Sequence, residues 1–432
     1  MSDLKAPAAP KAPRPAGPPG CLSRVLRYSV LLLVLASIVV VVDALKVSLP
    51  LGTPGSPAKG ETIGVIHIHT NRSHDGGGDL KDVIAAARWA DLSFVGITDH
   101  NVTLEDDVAG KDQGNILVLG GEEVTTKEGH LIVLGVKKGW REGVAKEPAA
   151  LIAAAKKAGG ASILAHPYGA SSDWEDWDVE GFDGIEIWNG DAAWRANNPI
   201  ELLTDLLIYS VNPDLALVRL AKRPEENLAK WDELTAKRKM SAICAADAHS
   251  HIPVFKWSID APGYLRVFKL ARQHVLLEEG QRDQAALVKA IREGRSFCAL
   301  DGVAVASGFV NRIEGEGVSA GPGQSVPWAL GATLRVSTPQ GAGKPRIKVF
   351  KDGIETADKH GWRLDEPIHG PGVYRTEAWL RQPGLTGGQR WMPWIFSNPI
   401  YVTAGAPVPV PRVGTPTPAA TAAGAPPITP LP

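Results

Sequence analysis

Between residues 61 and 300 short apolar runs recur, and each stops at a polar side chain able to bind a cation. ETIGVIHIHT ends in His67 and His69, ADLSFVGITDHN in Asp99 and His100, and NILVLGGEEVTT carries Glu122 and Glu123. HLIVLGV follows His130, ASILAHP ends in His166, DGIEIWNG carries Glu186 and Asn189, and MSAICAADAHSH ends in Asp247, His249 and His251. Near-continuous apolar runs of this length read as strands buried on both faces. Helix-period stretches separate several of them: 79–90 (DLKDVIAAARWA), 147–159 (EPAALIAAAKKAG) and 223–239 (RPEENLAKWDELTAKRK). Pro148 stands where a first-turn proline is tolerated. Strand–helix alternation predicts an α/β domain with a parallel sheet. Polar residues gathered at strand carboxyl ends are how a (β/α) barrel builds its active site. An open doubly wound sheet binds ligands mainly at one switch point and would have difficulty uniting so many strand ends. The expectation is a barrel.

Beyond residue 300 the pattern changes. ATLRVST, RIKVFKDGIE, GVYRTEAWL and WIFSNPIYV, parted by Gly/Pro turns, predict a small all-β module over 301–403, with Trp391, Trp394 and Phe396 in its core. Residues 404–432 form a Pro/Ala/Thr tail and residues 1–24 a Pro/Ala-rich arm, both expected to be disordered. Between arm and body lies an apolar stretch. Val25–Leu45 is 21 residues long, with Arg27 and Asp43 near its ends, enough to cross a hydrocarbon core of about 30 Å as a helix. Lys5, Lys11, Arg14, Arg24 and Arg27 precede or open it, against the single acid Asp3. Positive-inside logic puts the arm in the cytoplasm and the body across the membrane, in the periplasm if the source is bacterial. A cleaved signal peptide is the competing reading, since Val42-Asp43-Ala44 loosely fits a cleavage site. The anchor is the reading taken.

With 46 basic and 47 acidic residues in 432, the chain has no broad basic surface, so no nucleic-acid partner is expected. Cys21, Cys244 and Cys298 are widely spaced, which excludes a disulfide-rich scaffold and a thiolate zinc site. Cys244 reads as a small buried residue, with a Cys244–Cys298 bridge left open for an oxidising compartment.

The histidines decide the chemistry. Of the 11, only His274, His360 and His369 lie away from the strand ends and their loops. His67 and His69 follow a strand of side-chain period two, which puts two imidazoles on one face. Joined by Asp75, Glu123 and Asp247, the histidines offer ligands for more than one metal ion. The donor set mixes imidazole with carboxylate and suits Zn, Mn or Fe.

The motifs His67-Ile68-His69, Ser73-His74-Asp75-Gly76, Thr98-Asp99-His100-Asn101, Gly121-Glu122-Glu123, Gly129-His130, Ala165-His166-Pro167 and Asp247-Ala248-His249 together resemble the PHP (polymerase and histidinol phosphatase) family of metal-dependent phosphoesterases. The resemblance covers roughly 61–300. It implies a distorted (β/α)7 barrel holding two or three divalent ions, with His67, His69, Glu123 and Asp247 on one. Glu123 would bridge to a second ion held by His130 and His166, and Asp75, His100 and His249 would hold a third. His74 is the rival of Asp75, and Glu122 of Glu123. The ending, GVYRTEAWL and PWIFSNPIYV, is similar to the extension of the carbaryl-hydrolase-like branch, which would make the substrate a carbamate or carboxyl ester.

The function these residues imply is hydrolysis of a small-molecule ester, a phosphoester first, by a metal-bridging hydroxide. Asp99 is the candidate for orienting a ligand, with a strand-end bond to backbone as the plain alternative. His251 is the candidate proton donor to the leaving group, and Arg72 and Arg195 are candidates for meeting a phosphate. A non-catalytic, metal-stabilised envelope module is the alternative class. It needs only four ligands per structural ion, whereas here every motif keeps its ligand. Oligomeric state stays open.

Overall fold

The computed structural model describes residues 21–52, 55–169, 172–250, 252–254, 257–259, 262–340, 343–383 and 388–404. Most of the amino-terminal arm and nearly all of the carboxyl-terminal tail lie outside them. Helix α1 (Cys21–Leu45) stands almost wholly exposed and is long and apolar enough to cross a membrane or to serve as a signal sequence.

Seven strands close into a barrel: β1 (Glu61–Ile68), β2 (Phe94–Ile97), β3 (Leu117–Thr125), β4 (His130–Leu134), β5 (Ala161–Leu164), β6 (Gly184–Asn189) and β7 (Ser241–Ala248), which returns to pair with β1. Each coincides with one of the apolar runs read from the sequence. Ile66, Phe94, Leu119, Ile132, Ile163 and Ile243 belong to one packed interior cluster.

Two features depart from a regular (β/α)7 barrel. Strand β4 runs antiparallel to both neighbours. Only four residues join Thr125 to His130, and such a link can make a hairpin but never the crossover of a parallel pair. The helices are also uneven. Helix α2 (Leu80–Trp89) joins β1 to β2, and α3 (Pro148–Lys157) joins β4 to β5. Helices α4 (Gly190–Arg195), α5 (Pro199–Tyr209), α6 (Pro213–Leu220) and α7 (Glu225–Lys237) all fall between β6 and β7. Among the described residues no helix lies between β2 and β3 or between β5 and β6. Where helices do form, the local chemistry accounts for their starts. Asp79 caps α2 in a reciprocal box with Asp82, and Pro148 fills the first turn of α3.

Antiparallel β8 (Arg272–Leu276) and β9 (Ser296–Ala299) extend the sheet from β1, away from the ring. Strand β9 then pairs with a long strand of the carboxyl-terminal region, Gln389–Ser397. That region is all-β. One of its sheets continues the barrel sheet, and a second, four-stranded sheet packs on it through a shared core that includes Leu334, Leu364, Ile347 and Trp394. Trp394 and Phe396 are buried there. Cys244 and Cys298, on β7 and β9, form a disulfide with Cα atoms 5.1 Å apart, so Cys244 is not merely a small buried residue. Sequence spacing hides this pairing, because it is the excursion of β9 along the outside of the ring that juxtaposes them.

His274 on β8 is fully buried, its Nδ1 2.7 Å from Glu61 Oε1 and its Nε2 3.2 Å from Asp301 Oδ2. Burial opposes its protonation, but Asp301 and Glu61 together outweigh it and raise its pKa to about 9. A folded value above the unfolded one stabilises the protonated state. The contribution is full below about pH 6.5 and is lost as pH rises through about 9. The difference in denaturant midpoint between wild type and His274→Gln is therefore expected to shrink steadily across that window. A constant difference would refute the assignment.

Candidate metal centre

The motif residues meet at the carboxyl ends of the parallel strands. Glu123, 1% exposed, sits at their middle. Its Oε2 lies 3.0 Å from His67 Nε2, 3.1 Å from His69 Nε2 and 3.4 Å from His100 Nδ1. Its Oε1 lies 2.8 Å from His130 Nδ1 and 3.1 Å from His166 Nε2. Asp247 Oδ1 approaches the Nε2 atoms of both His67 and His69 at 3.4 Å. To one side, Asp75 Oδ2 is 3.1 Å from His100 Nε2 and 3.3 Å from His249 Nε2.

Backbone irregularity produces this convergence. His67, His166 and Asp247 adopt φ of 67°, 26° and 48°, a region that residues with a Cβ enter rarely and at a cost. The pairing of β1 with both neighbours slips between Ile66 and Ile68. Strict alternation would put His67 on the same side as Val65, which packs on α2. The bulge instead sends Ile68 to that side and turns His67 inward beside Ile66. His67 and His69 do share one face, as a period of two expects, with ring centroids 5.0 Å apart, and the bulge decides that this face is the inner one.

The rival positions fall apart in space. His74 is mostly exposed, with its Nε2 3.9 Å from Asp75, whose carboxylate is the one inside the cluster. Glu122 faces away from the cluster, accepting from Trp140 Nε1 at 2.7 Å and Arg141 Nε at 2.9 Å. Asp99 is not among the converging atoms. It accepts from the Thr70 backbone N–H at 2.5 Å and from Thr70 Oγ1 at 2.8 Å, and so fixes the turn that follows His69. Burial raises its pKa despite both bonds. Arg72 is exposed and Arg195 pairs with Asp191 at 2.5 Å. His251 lies outside the described residues.

Residues that sequence reading left without a role support the cluster from behind. Glu186, fully buried, accepts from His67 Nδ1–H at 2.6 Å and from the His166 backbone N–H at 2.7 Å. That bond places the proton on Nδ1 and leaves the Nε2 lone pair aimed at the centre. Asn189 Nδ2 donates to Glu186 Oε2 at 2.8 Å and to Asp247 Oδ2 at 3.1 Å. Ser73 Oγ accepts from the His100 backbone N–H at 2.8 Å and meets His69 Nδ1 at 3.1 Å. The available signal was the polar pair Glu186 and Asn189 at the end of an otherwise apolar strand.

Electrostatics and unmet bonding both fit a cation. Burial works against every charge here, yet partners prevail. Asp247, Glu186 and Glu123 hold His67 well above its ordinary pKa, and the nearby Asp247 and Glu123 carboxylates bring His69 to about 9. Conversely, His67, His130 and His166 hold Glu123 well below the carboxylate range, and His67, His69 and His249 do the same for Asp247. The carboxylates thus require positive charge, supplied by protons when no ion is bound and by an ion once the imidazoles are neutral. His69 Nε2 and His100 Nδ1 are buried without a well-formed hydrogen bond although carboxylate oxygens surround them. Two ligands each about 2.1 Å from a tetrahedral ion lie about 3.4 Å apart, close to the 3.0–3.4 Å between the His67, His69, Glu123 and Asp247 atoms. Overlapping trios, among them His67–His69–Glu123 and His100–Glu123–His130, can each hold an ion.

No family model matches this chain, and no curated protein does. Among solved structures it is similar to one from Bacteroides vulgatus ATCC 8482, described as a two-domain protein containing predicted PHP-like metal-dependent phosphoesterase. The two share 15% sequence identity over 79% of this chain and 98% of that one, with a TM-score of 0.40.

Proposed function

We propose that this chain is a membrane-anchored, metal-dependent hydrolase of the PHP type, acting on phosphate esters of small molecules outside the cytoplasm. The observation that carries the reading is Glu123, one buried carboxylate with His67, His69 and His100 on one oxygen and His130 and His166 on the other. A structural ion needs four ligands. Nine motif side chains, eight of them gathered about the shared Glu123 carboxylate, fit a polynuclear reaction centre better. His67, His69, Glu123 and Asp247 would hold one ion, Glu123, His130 and His166 a second, and Asp75, His100 and His249 a third. Bound there, divalent ions supply hydroxide near neutral pH and neutralise charge growing on phosphoryl oxygens.

The protein's own groups prepare that chemistry. Glu186 sets the His67 tautomer and, through Asn189, fixes Asp247. Access is one-sided. The His67, His69 and Glu123 side chains are closed off, whereas those of Asp75 and His249 are 29% and 27% exposed, so the ester would approach over the Asp75–His249 edge.

Two observations support the location. Asn212 Nδ2 donates to the Ala44 and Val47 carbonyls at 2.9 and 2.8 Å, tying the end of α1 into the body, which favours a retained helix over a cleaved one. The Cys244–Cys298 disulfide suits an oxidising compartment. Full-length protein assayed against phosphate, carboxyl and carbamate esters, with its metals quantified by mass spectrometry, tests the reading. Turnover of a phosphoester is expected for wild type and is expected to vanish in His67→Ala/Asp247→Ala. Undiminished turnover by that variant would eliminate this site, and preference for a carboxyl ester or carbamate would replace the substrate class.

A further inference from the structure

Helix α5 carries an apolar stripe with no protein cover. Ile200, Leu203 and Leu206 recur every third residue and are 78%, 68% and 63% exposed, while Asp205 and Ile208 on the other side are buried. A helix on the surface of a soluble body turns charged and polar residues outward, so this face is inverted.

Its neighbour indicates what covers it. Ala44, in the last turn of α1, is buried in one cluster with Ile208 of α5 and Leu215 and Ala216 of α6, and Val40, one turn earlier, packs on the same cluster. The body therefore grips α1 from Val40 to Ala44, about 7 Å of helix. Around that seam Val39, Val42 and Leu45 stay exposed. On the membrane-anchor reading, on which this inference rests, those turns are still within the span. Val25–Leu45 measures about 30 Å, just the thickness of a hydrocarbon core, with no length to spare. A helix packed beside the last turns of the anchor then sits at the depth of the lipid headgroups and upper acyl chains.

We propose that α5 is a second membrane contact, lying in the interface of the leaflet nearest the body with Ile200, Leu203 and Leu206 among the acyl chains. Its flank suits that position, since Glu201 and Lys222 form an exposed ion pair at 2.9 Å that would stand at headgroup level. With α1 alone the body would swivel about a single attachment. With α5 seated beside it, the attitude of the barrel to the bilayer is fixed.

The test uses full-length protein with Cys21→Ala, carrying a single new cysteine, Leu35→Cys, Leu203→Cys or Lys359→Cys. Each is labelled with an environment-sensitive fluorophore and reconstituted into phosphatidylcholine/phosphatidylglycerol vesicles with or without doxyl-labelled lipid. Labels at positions 35 and 203 are expected to lose most of their emission to the doxyl lipid, and the label at 359 to keep its emission. Quenching at 35 without quenching at 203 overturns the contact and leaves the anchor standing. No quenching at 35 overturns the anchor and the contact with it. Oxidative cross-linking of unlabelled Leu203→Cys between chains would mean that a second copy, not lipid, covers the stripe, and would overturn the proposal as well.

Discussion

Glu123→Gln is expected to strip the centre of its ions and to lower ester hydrolysis by about 10²- to 10³-fold or more, the scale on which a single preorganised electrostatic group acts. Both carboxylate oxygens are engaged, each by at least two imidazoles, and glutamine keeps only one oxygen. Its NH2 group carries two donors and no free pair for a cation. The substitution also removes the charge that the surrounding histidines answer, so in metal-free protein fewer of them stay protonated. The fold is expected to survive, because amide and carboxylate are nearly the same size. Metal content by mass spectrometry and near-UV circular dichroism check the two halves of this prediction. Glu122→Gln is the matched control. Glu122 is equally buried but engages Trp140 and Arg141, so its variant is expected to keep its metals. Retention of metal by Glu123→Gln, or its loss in Glu122→Gln, would exchange the two residues.

The contrast between those neighbours shows what the chain reveals by itself. The seven barrel strands were legible because each is a largely apolar run that ends in a ligand-type residue or, in β4, begins with one. The strand ends alone were enough to suggest a common centre. Direction was less legible, for the same apolar signal serves a parallel strand and the antiparallel β4, and only the shortness of the 126–129 link tells them apart. The helices α4–α6 passed unnoticed, since their sequence mixes asparagine, proline and apolar residues without one clear polar face. Within the site the ligand types could be read, but not the support behind them. The Glu186–His67 bond spans 119 residues and depends on a bulge that no periodicity encodes. The disulfide is hidden for a similar reason, as β9 reaches Cys244 only by running outside the ring.

Arg375→Ala is expected to cost about 3–5 kcal/mol, the range for removing one partner of a buried ion pair. Arg375 lies on the strand Gly372–Pro383 with its side chain 3% exposed. Its Nε and Nη2 donate to the two oxygens of Asp232 on α7 at 2.6 and 2.7 Å, and its Nη1 donates to Glu377 at 2.7 Å. Glu377, fully buried, also accepts from Arg223 at 2.7 and 3.0 Å. The guanidinium lies 4.0 Å from the Phe350 ring centre as well, so alanine forfeits packing together with charge. Burial favours a neutral Glu377, but Arg223 and Arg375 keep it below its ordinary pKa. With Arg375 gone, one guanidinium remains for Glu377, and Asp232 is left half-desolvated without its partner. Because this cluster ties a barrel helix to the carboxyl-terminal sheet, its loss tests whether the two halves fold as one. Their sheet is continuous through β9 and their core is shared, so a single denaturant transition with a lower midpoint and unchanged slope is expected, with metal content retained. Two separated transitions would show instead that the sandwich is an independent unit held to the barrel mainly by this cluster.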